Sequence, residues 1–207
     1  MPKVKDKGNE MKVKRKKKED QRSILTKRLI KESFAKLLKD YPSDKISVSK
    51  LCEKAEINRG TFYLYYKDIY DLRYRMANDY LEDVKASIFT LLNKKNTTST
   101  LADHEMILEL LNYLYENKLF TSALLGNNFD KRLVDEISNI GKSIVLLIYP
   151  NVFKNKEPYE YDNFYLYVSS GSIALIIRWV RSNYKESIES LATTLERLIS
   201  STITYFK

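Results

Sequence analysis

The sequence predicts an all-α protein of about nine helices, a three-helix head followed by a larger helical body. Three observations carry that expectation. Glycine and proline are scarce, five and four in 207 residues, which argues against a chain of short strands and turns. Apolar residues recur at i, i+3 and i+4 from Arg22 almost to the C-terminus, the spacing of one helical face. The stretch Ser47 to Leu72, SVSKLCEKAEINRGTFYLYYKDIYDL, reads as two short helices, a tight turn and the start of a third.

Residues 1–20 are lysine-dense with almost nothing to bury, and read as a disordered basic arm. Lys14 to Lys18 is a run of five positive charges. The arm either adds salt-sensitive phosphate contacts or enters a minor groove, or is a plain solvated tail. Arg22 to Asp40 is an amphipathic helix with Ile24 or Leu25, Leu29, Ile30, Phe34, Leu37 and Leu38 on its stripe. Tyr41-Pro42 ends it, because proline disfavours helix in the residue before it. Lys27, Arg28 and Lys31 on its charged face either reach phosphate or are simply solvated.

Val48, Leu51, Cys52 and Ala55 mark one face of the next short helix, with Ser47 or Ser49 as its cap. Asn58 is placed to cap a second helix, Arg59 to Tyr66. Four rings crowd that helix. Phe62 and Tyr66 are four apart and can pack inward together, which sends Tyr63 and Tyr65 elsewhere. Asp68, with Asp71 three residues on, restarts a helix in a near capping box.

That helix runs to about Asn93, with Ile69, Leu72, Met76, Tyr80, Leu81, Val84, Ile88 and Leu92 on its stripe. It spans ~37 Å at about 1.5 Å per residue, long enough to join head and body. Lys94 to Thr100 is a polar loop. Residues 101–149 hold two or three helices, ended by Tyr149-Pro150. Pro158 suits the first turn of the next, strongly apolar helix, Glu160 to Ser182. Asn183 can close it in the left-handed conformation, and Lys185 to Phe206 is the last helix. The expected domains are 1–20, the arm; 21–67, the head; and 68–207, the body.

The net charge is +9, and its placement is informative. Residues 1–18 carry net +7, residues 19–80 net +3 and residues 81–207 net −1. The positive field belongs to the arm and head, as in a DNA-binding head on a near-neutral body. One cysteine, Cys52, excludes an internal disulfide, and one histidine, His104, excludes a multi-histidine metal site. No cofactor is expected. The sequence lacks G-x-x-x-x-G-K-[ST], G-x-S-x-G and G-x-G-x-x-G, so an enzyme is not expected either. No apolar run reaches the ~18 residues of a membrane span and no signal-peptide core follows the basic start, which places the protein in the cytoplasm, at the nucleoid.

A helix that buries one side and offers Arg, Thr, Tyr and Lys on the other suits DNA. Arg59 can read guanine, and Leu64 or Tyr63 can touch thymine methyls. Ser47, Ser49, Thr61, Tyr63, Tyr65 and Lys67 can hold phosphate, Lys50 either phosphate or base, and Asn58 lies at the same surface. Gly60 lets the backbone approach closely. The run Leu51-Cys52-Glu53-Lys54-Ala55-Glu56-Ile57-Asn58-Arg59-Gly60-Thr61-Phe62-Tyr63-Leu64-Tyr65-Tyr66 resembles the helix-turn-helix of the TetR/AcrR (tetracycline-repressor-like) family, I-A-x-x-A-G-V-S-x-G-T-[LF]-Y-x-[HY]-F. It departs at Cys52 for Ala, Glu56 for Gly, Asn58 for Ser and Tyr66 for Phe. If the turn at Glu56 is left-handed, glutamate carries a strain that glycine would not.

The resemblance implies a bacterial transcriptional regulator, most simply a homodimeric repressor that a small-molecule inducer releases from a palindromic double-stranded DNA operator. It implies an inducer pocket in the body. Inward-facing aromatics are the candidates, Tyr113, Phe120, Phe129, Tyr165 and Trp179, with plain core packing the alternative for each. Tyr167 to Ser190 is also similar to the C-terminal half of one branch of the family from low-GC Gram-positive bacteria, whose last two helices form a four-helix dimer interface. Here Gly171, Leu175, Leu191, Leu195, Leu198 and Ile199 are the candidates, since two adjacent apolar helices leave more apolar surface than the body can cover. His104 reads as a surface residue and Cys52 as an inert buried one. The alternative is a DNA-binding co-activator or nucleoid-associated adaptor whose body binds a protein partner.

Overall fold

Nine α-helices and one 3-10 turn, Ser43–Lys45, make up the regular structure of the described residues, with no strand among them. The computed structural model describes residues 7–94, 104–126, 131–148 and 157–206. They form two compact units that divide between Leu72 and Arg73.

The first unit holds α1 (Lys7–Asp40), α2 (Val48–Lys54), α3 (Arg59–Tyr63) and the first turn of α4 (Ile69–Lys94). α1 starts at Lys7 rather than at Arg22, so most of the expected arm is helical. Residues 9–20 contain no Gly or Pro and are rich in Lys, Arg, Glu and Met, good helix formers that extend a helix without an apolar stripe. The burial of α1 also differs from expectation. Ile30, Phe34, Ala35, Leu37 and Leu38 are buried, whereas Ile24, Leu25 and Leu29 are exposed. α1 packs on α2, and seven residues of α2 cover only about two turns of a neighbour. The division after Leu72 falls inside α4, because Ile69 and Leu72 in its first turn are buried with the first unit.

The second unit holds the rest of α4, then α5 (His104–Glu116), α6 (Lys118–Leu125), α7 (Lys131–Ile148), α8 (Pro158–Arg181) and α9 (Ile188–Phe206). α5 lies along α9, and α8 packs on α6, α7 and α9. α8 opens with Pro158 in its first turn behind a capping box in which the Glu157 N–H donates to Glu160 Oε2 at 2.9 Å. Asn183, at φ 56°, closes α8 as expected. Its N–H donates to the Val180 carbonyl and that of Tyr184 to the Trp179 carbonyl, both at 3.0 Å, the bond pair of a left-handed helix end. Tyr184 is left-handed too, at φ 59°, which sequence gave no reason to expect of a tyrosine. Its ring stands edge-on to Trp179 and Tyr115, 4.7 and 5.3 Å between centroids, and its hydroxyl lies 3.0 Å from Ser122 Oγ. Those contacts offset the backbone strain. No helix of the described residues is long and apolar enough to cross a membrane.

One buried polar contact ties α4 to α6. Tyr80 Oη lies 2.7 Å from Thr121 Oγ1, and the Thr121 hydroxyl donates to the Leu114 carbonyl at 2.9 Å. The threonine has a single proton, so Tyr80 is the donor of the pair. Replacing Tyr80 by Phe removes a donor while the Thr121 hydroxyl still donates to the Leu114 carbonyl, at a cost of about 1 kcal/mol; Thr121→Val strands a buried phenol proton, at about 2 kcal/mol. Denaturant unfolding of the two variants should rank them in that order.

Candidate nucleic-acid interface

The candidate surface is built around α3, five residues long, and both of its neighbours are shaped to hold it. Ser47 caps α2, its Oγ accepting from the Lys50 N–H at 3.2 Å. α2 ends in a left-handed residue, Glu56 at φ 53°. The Glu56 N–H donates to the Glu53 carbonyl at 3.2 Å and that of Ile57 to the Cys52 carbonyl at 3.0 Å. This is a Schellman turn with glutamate where glycine is preferred, the strain that the family pattern implied. Asn58 then caps α3. Its Oδ1 accepts from the Thr61 N–H at 2.7 Å and from the Thr61 hydroxyl at 3.0 Å. A Cβ on residue 60 would sit 3.3 Å from that same oxygen, so glycine keeps the cap uncrowded. α3 stops at Tyr63 rather than Tyr66, and the Tyr65 and Tyr66 N–H groups both donate to the Phe62 carbonyl at 3.0 Å.

Phe62 is fully buried and Tyr66 nearly so, their centroids 5.8 Å apart. They turn the rest of α3 outward. Arg59, Gly60, Tyr63 at 54% and Leu64 at 77% are exposed, as are Ser49 and Lys67. The other expected contacts are partly engaged inside the head. Asn58, Ser47 and Thr61 serve the caps. Tyr65 is half-buried with Lys27 Nζ 5.5 Å from its ring, and Lys50 Nζ lies 3.0 Å from the Tyr41 ring centroid. Nothing in the spacing of Tyr41 and Lys50 announces that last contact. The start of α4 is held by Asp68 Oδ1, which accepts from the Asp71 N–H at 2.8 Å, and by Asp71 Oδ2, which accepts from the Lys67 N–H at 3.0 Å. The near capping box therefore closes one residue early. Cys52 is buried, and burial pushes its thiol pKa up, with Arg59 opposing.

The body has a cavity of about 200 Å³ between α5, α7, α8 and α9, with Ile88 of α4 on its wall. Of the expected aromatics only Tyr165 borders it. Trp179 is packed solid, its rings 4.7 Å from Tyr184 and 6.4 Å from Tyr115, and its indole N–H donates to the Glu186 carbonyl at 2.8 Å. Tyr113 lies against Tyr80, 6.4 Å between centroids, and Phe120 is half-buried off the cavity wall. Phe129 falls outside the described residues. The cavity opens where side chains are small, at Ser138, Gly141, Ser169 and Ser172, whereas the large rings fill the space around them. The Tyr165 hydroxyl donates to the Ser138 carbonyl, and a Cβ on Gly141 would sit 2.5 Å from that hydroxyl.

The expected dimer residues separate as well. Leu191, Leu195 and Ile199 are buried within the chain, and the last two border the cavity. α5 covers the centre of the α9 stripe and leaves its flank open. Gly171 and Leu198 are exposed and Leu175 half-buried; with Tyr167 they line a shallow groove. His104 is more than a surface residue. Its Nδ1 lies 2.9 Å from Glu196 Oε2 and its Nε2 2.9 Å from Glu189 Oε1, a clamp from the first residue of α5 to two turns of α9. The Glu189 hydrogen bond is the largest cause of its raised pKa.

A family model for a transcriptional regulator C-terminal region of the TetR type matches residues 104–201. The chain is 25% identical over 171 residues to YxbF, an HTH-type transcriptional regulator of Bacillus subtilis strain 168, covering 83% of this chain and 44% of that protein. It is 28% identical over 127 residues to DhaS, the HTH-type dhaKLM operon transcriptional activator of Lactococcus lactis subsp. lactis strain IL1403, covering 60% of this chain and 63% of that one. The chain thus spans about half to two thirds of the length of these relatives. Solved structures of the same fold include a dihydroxyacetone kinase operon activator DhaS (TM-score 0.60, 21% identity, 89% of this chain and 99% of that one). A TetR transcriptional regulator from Streptococcus agalactiae 2603V aligns with TM-score 0.61 at 19% identity, covering 87% of this chain and 97% of that one.

Two outcomes follow from this geometry. Glu56→Gly removes the left-handed strain and should raise stability by about 0.5–1 kcal/mol, after the entropy glycine adds to the unfolded chain; thermal unfolding reads it. His104 has a raised folded-state pKa, so its stabilisation is complete below the unfolded value of about 6.5 and is lost as pH rises through the higher folded value. Melting temperature should fall over that alkaline window, and His104→Gln should flatten the fall.

Proposed function

We propose that this chain, which belongs to the TetR family of transcriptional regulators, acts as a homodimeric repressor that reads a palindromic operator with α3 and leaves it when a small molecule enters the body. One observation carries the DNA reading. The caps at Asn58 and Asp68 and the buried Phe62 hold α3 so that Arg59, Gly60, Tyr63 and Leu64 all face solvent. Arg59 is the base reader, Tyr63 and Leu64 supply apolar contact to thymine, and Ser49, Lys50 and Lys67 hold phosphate. Asn58, Ser47 and Thr61 position the readers; the Asn58 amide N–H and the Ser47 hydroxyl proton remain for a phosphate, whereas the Thr61 proton goes to Asn58 Oδ1. Lysines of the N-terminal turns of α1 add salt-dependent affinity.

Pairing of two copies through α8 and α9 is supported by the open groove at Gly171 and Leu198 and by Tyr167, 71% exposed. A Cβ at Gly171 would meet nothing within 4 Å, which leaves room for a neighbouring helix. A two-fold axis would present two α3 helices to half-sites about 34 Å apart. The body cavity is the ligand site in this reading. Ile88 on its wall belongs to the helix whose first turn lies in the head, so a ligand that favours one placement of α4 shifts the population of DNA-competent dimers.

The test is a titration of the full chain with duplex DNA from upstream of its own coding region, against a scrambled duplex, at two salt concentrations. The upstream duplex should bind far more tightly, and Arg59→Ala should weaken it about tenfold to a hundredfold, the worth of one good base contact. Equal, steeply salt-dependent binding of both duplexes, unmoved by Arg59→Ala, would reject sequence-specific reading in favour of a nucleoid-associated role.

A further inference from the structure

We infer that the body cavity takes a neutral, largely apolar small molecule of about the size of a fused bicyclic ring, and rejects anions and cations of similar size. This inference rests on the ligand-responsive reading above and adds the chemical class of the ligand. Among the described residues, the walls come from Ile88, Met106, Leu110, Ile137, Ile173 and similar aliphatic side chains, and no Asp, Glu, Lys, Arg or His borders the space. The space is half open, and a charge seated against these walls would lose part of its hydration with no counter-charge among the described residues to replace it, which is unfavourable.

The polar groups of the wall narrow the choice further. They are the hydroxyls of Ser138, Ser169, Ser172 and Tyr165. The Tyr165 proton is committed to the Ser138 carbonyl, and Ser169 Oγ is within 3.5 Å of the Leu166 carbonyl. The hydroxyls of Ser138 and Ser172 are therefore left to meet one ligand N–H or hydroxyl. The space is about 200 Å³. An engineered cavity of about 150 Å³ lined by aliphatic side chains holds benzene, so this one suits roughly eight or nine non-hydrogen atoms by the same scaling. Its floor depends on Gly141, since any larger residue there meets the Tyr165 hydroxyl.

Three planar-ring probes of eight or nine non-hydrogen atoms separate the charge states, indole as the neutral one, benzoate as the acid and benzylammonium as the amine, each titrated into the full chain by calorimetry and thermal shift. Indole should bind and raise the melting temperature, with the acid and the amine at least tenfold weaker. Leu110→Trp fills the space from α5 and Ser169→Phe fills it from α8. Either variant, once it shows a cooperative unfolding transition of its own, should lose indole binding. Tighter binding of the acid or the amine, abolished by the same variants, would overturn the neutral class while leaving a ligand-responsive body in place. Failure of all three probes to bind would overturn this inference, while the ligand-release reading would stand or fall on whether the operator complex responds to any small molecule. Indole binding that survives both filling variants would place the ligand elsewhere and reject the cavity.

Discussion

A helix of five residues does not hold itself together in water, because its first turn fixes more backbone than its hydrogen bonds repay. α3 exists because Phe62 is fully buried beneath it and Asn58 closes its N-terminus. Everything the head presents depends on that pairing. The burial of Phe62 fixes the rotation of α3, and the rotation decides that Arg59, Tyr63 and Leu64 face outward together. The turn before it is held just as tightly, with Glu56 in a left-handed conformation that two backbone hydrogen bonds impose. Local strain at Glu56 is thus exchanged for a defined angle between α2 and α3.

The body solves a different problem. It leaves a space of about 200 Å³ among packed helices. Small residues on α7 and α8 create the space, and large residues placed elsewhere brace its surroundings. The Trp179, Tyr184 and Tyr115 cluster closes the end of α8, Tyr80 and Thr121 tie α4 to α6, and His104 clamps α5 to α9. Tyr161 does the same between α8 and α7, donating to the Lys142 carbonyl at 2.9 Å, with its phenol pKa pushed up to about 12 by burial. None of these residues borders the space itself.

The head was largely legible in the sequence because its signals are local. A cap and the helix it serves lie within three residues of each other, so Asn58 and Asp68 could be read directly, the cap of α2 could be narrowed to Ser47 or Ser49, and the inward pairing of Phe62 with Tyr66 could be read as well. The body was legible only as a set of helices. Asn183 announced the end of α8, but the left-handed Tyr184 beside it did not, since its stabilising contacts come from Ser122 and Tyr115, far away in the chain. The aromatics singled out as pocket residues mostly proved to be filler, Trp179 above all. An apolar stripe gives the direction in which a side chain points and says nothing of how much room it finds. The same limit explains Ile24, Leu25 and Leu29, which share the helical spacing of a core face and lie beyond the reach of α2.

Sequence alone determined what depends on near neighbours and on composition. It set the all-α class, the order of the helices, the caps that bound them, the concentration of positive charge at one end, and the residue types on the outer face of α3. Tertiary structure decided what depends on distance through space. It assigned Leu191, Leu195 and Ile199 to the interior and Leu198 to the surface, joined His104 to two glutamates eighty-five and ninety-two residues away, and put the cavity beside Gly141 and three serines. The physical reason is the same in each case. Hydrogen bonds within a turn are fixed by chain geometry, whereas burial and void volume are properties of several helices at once, and no single stretch of the chain contains them.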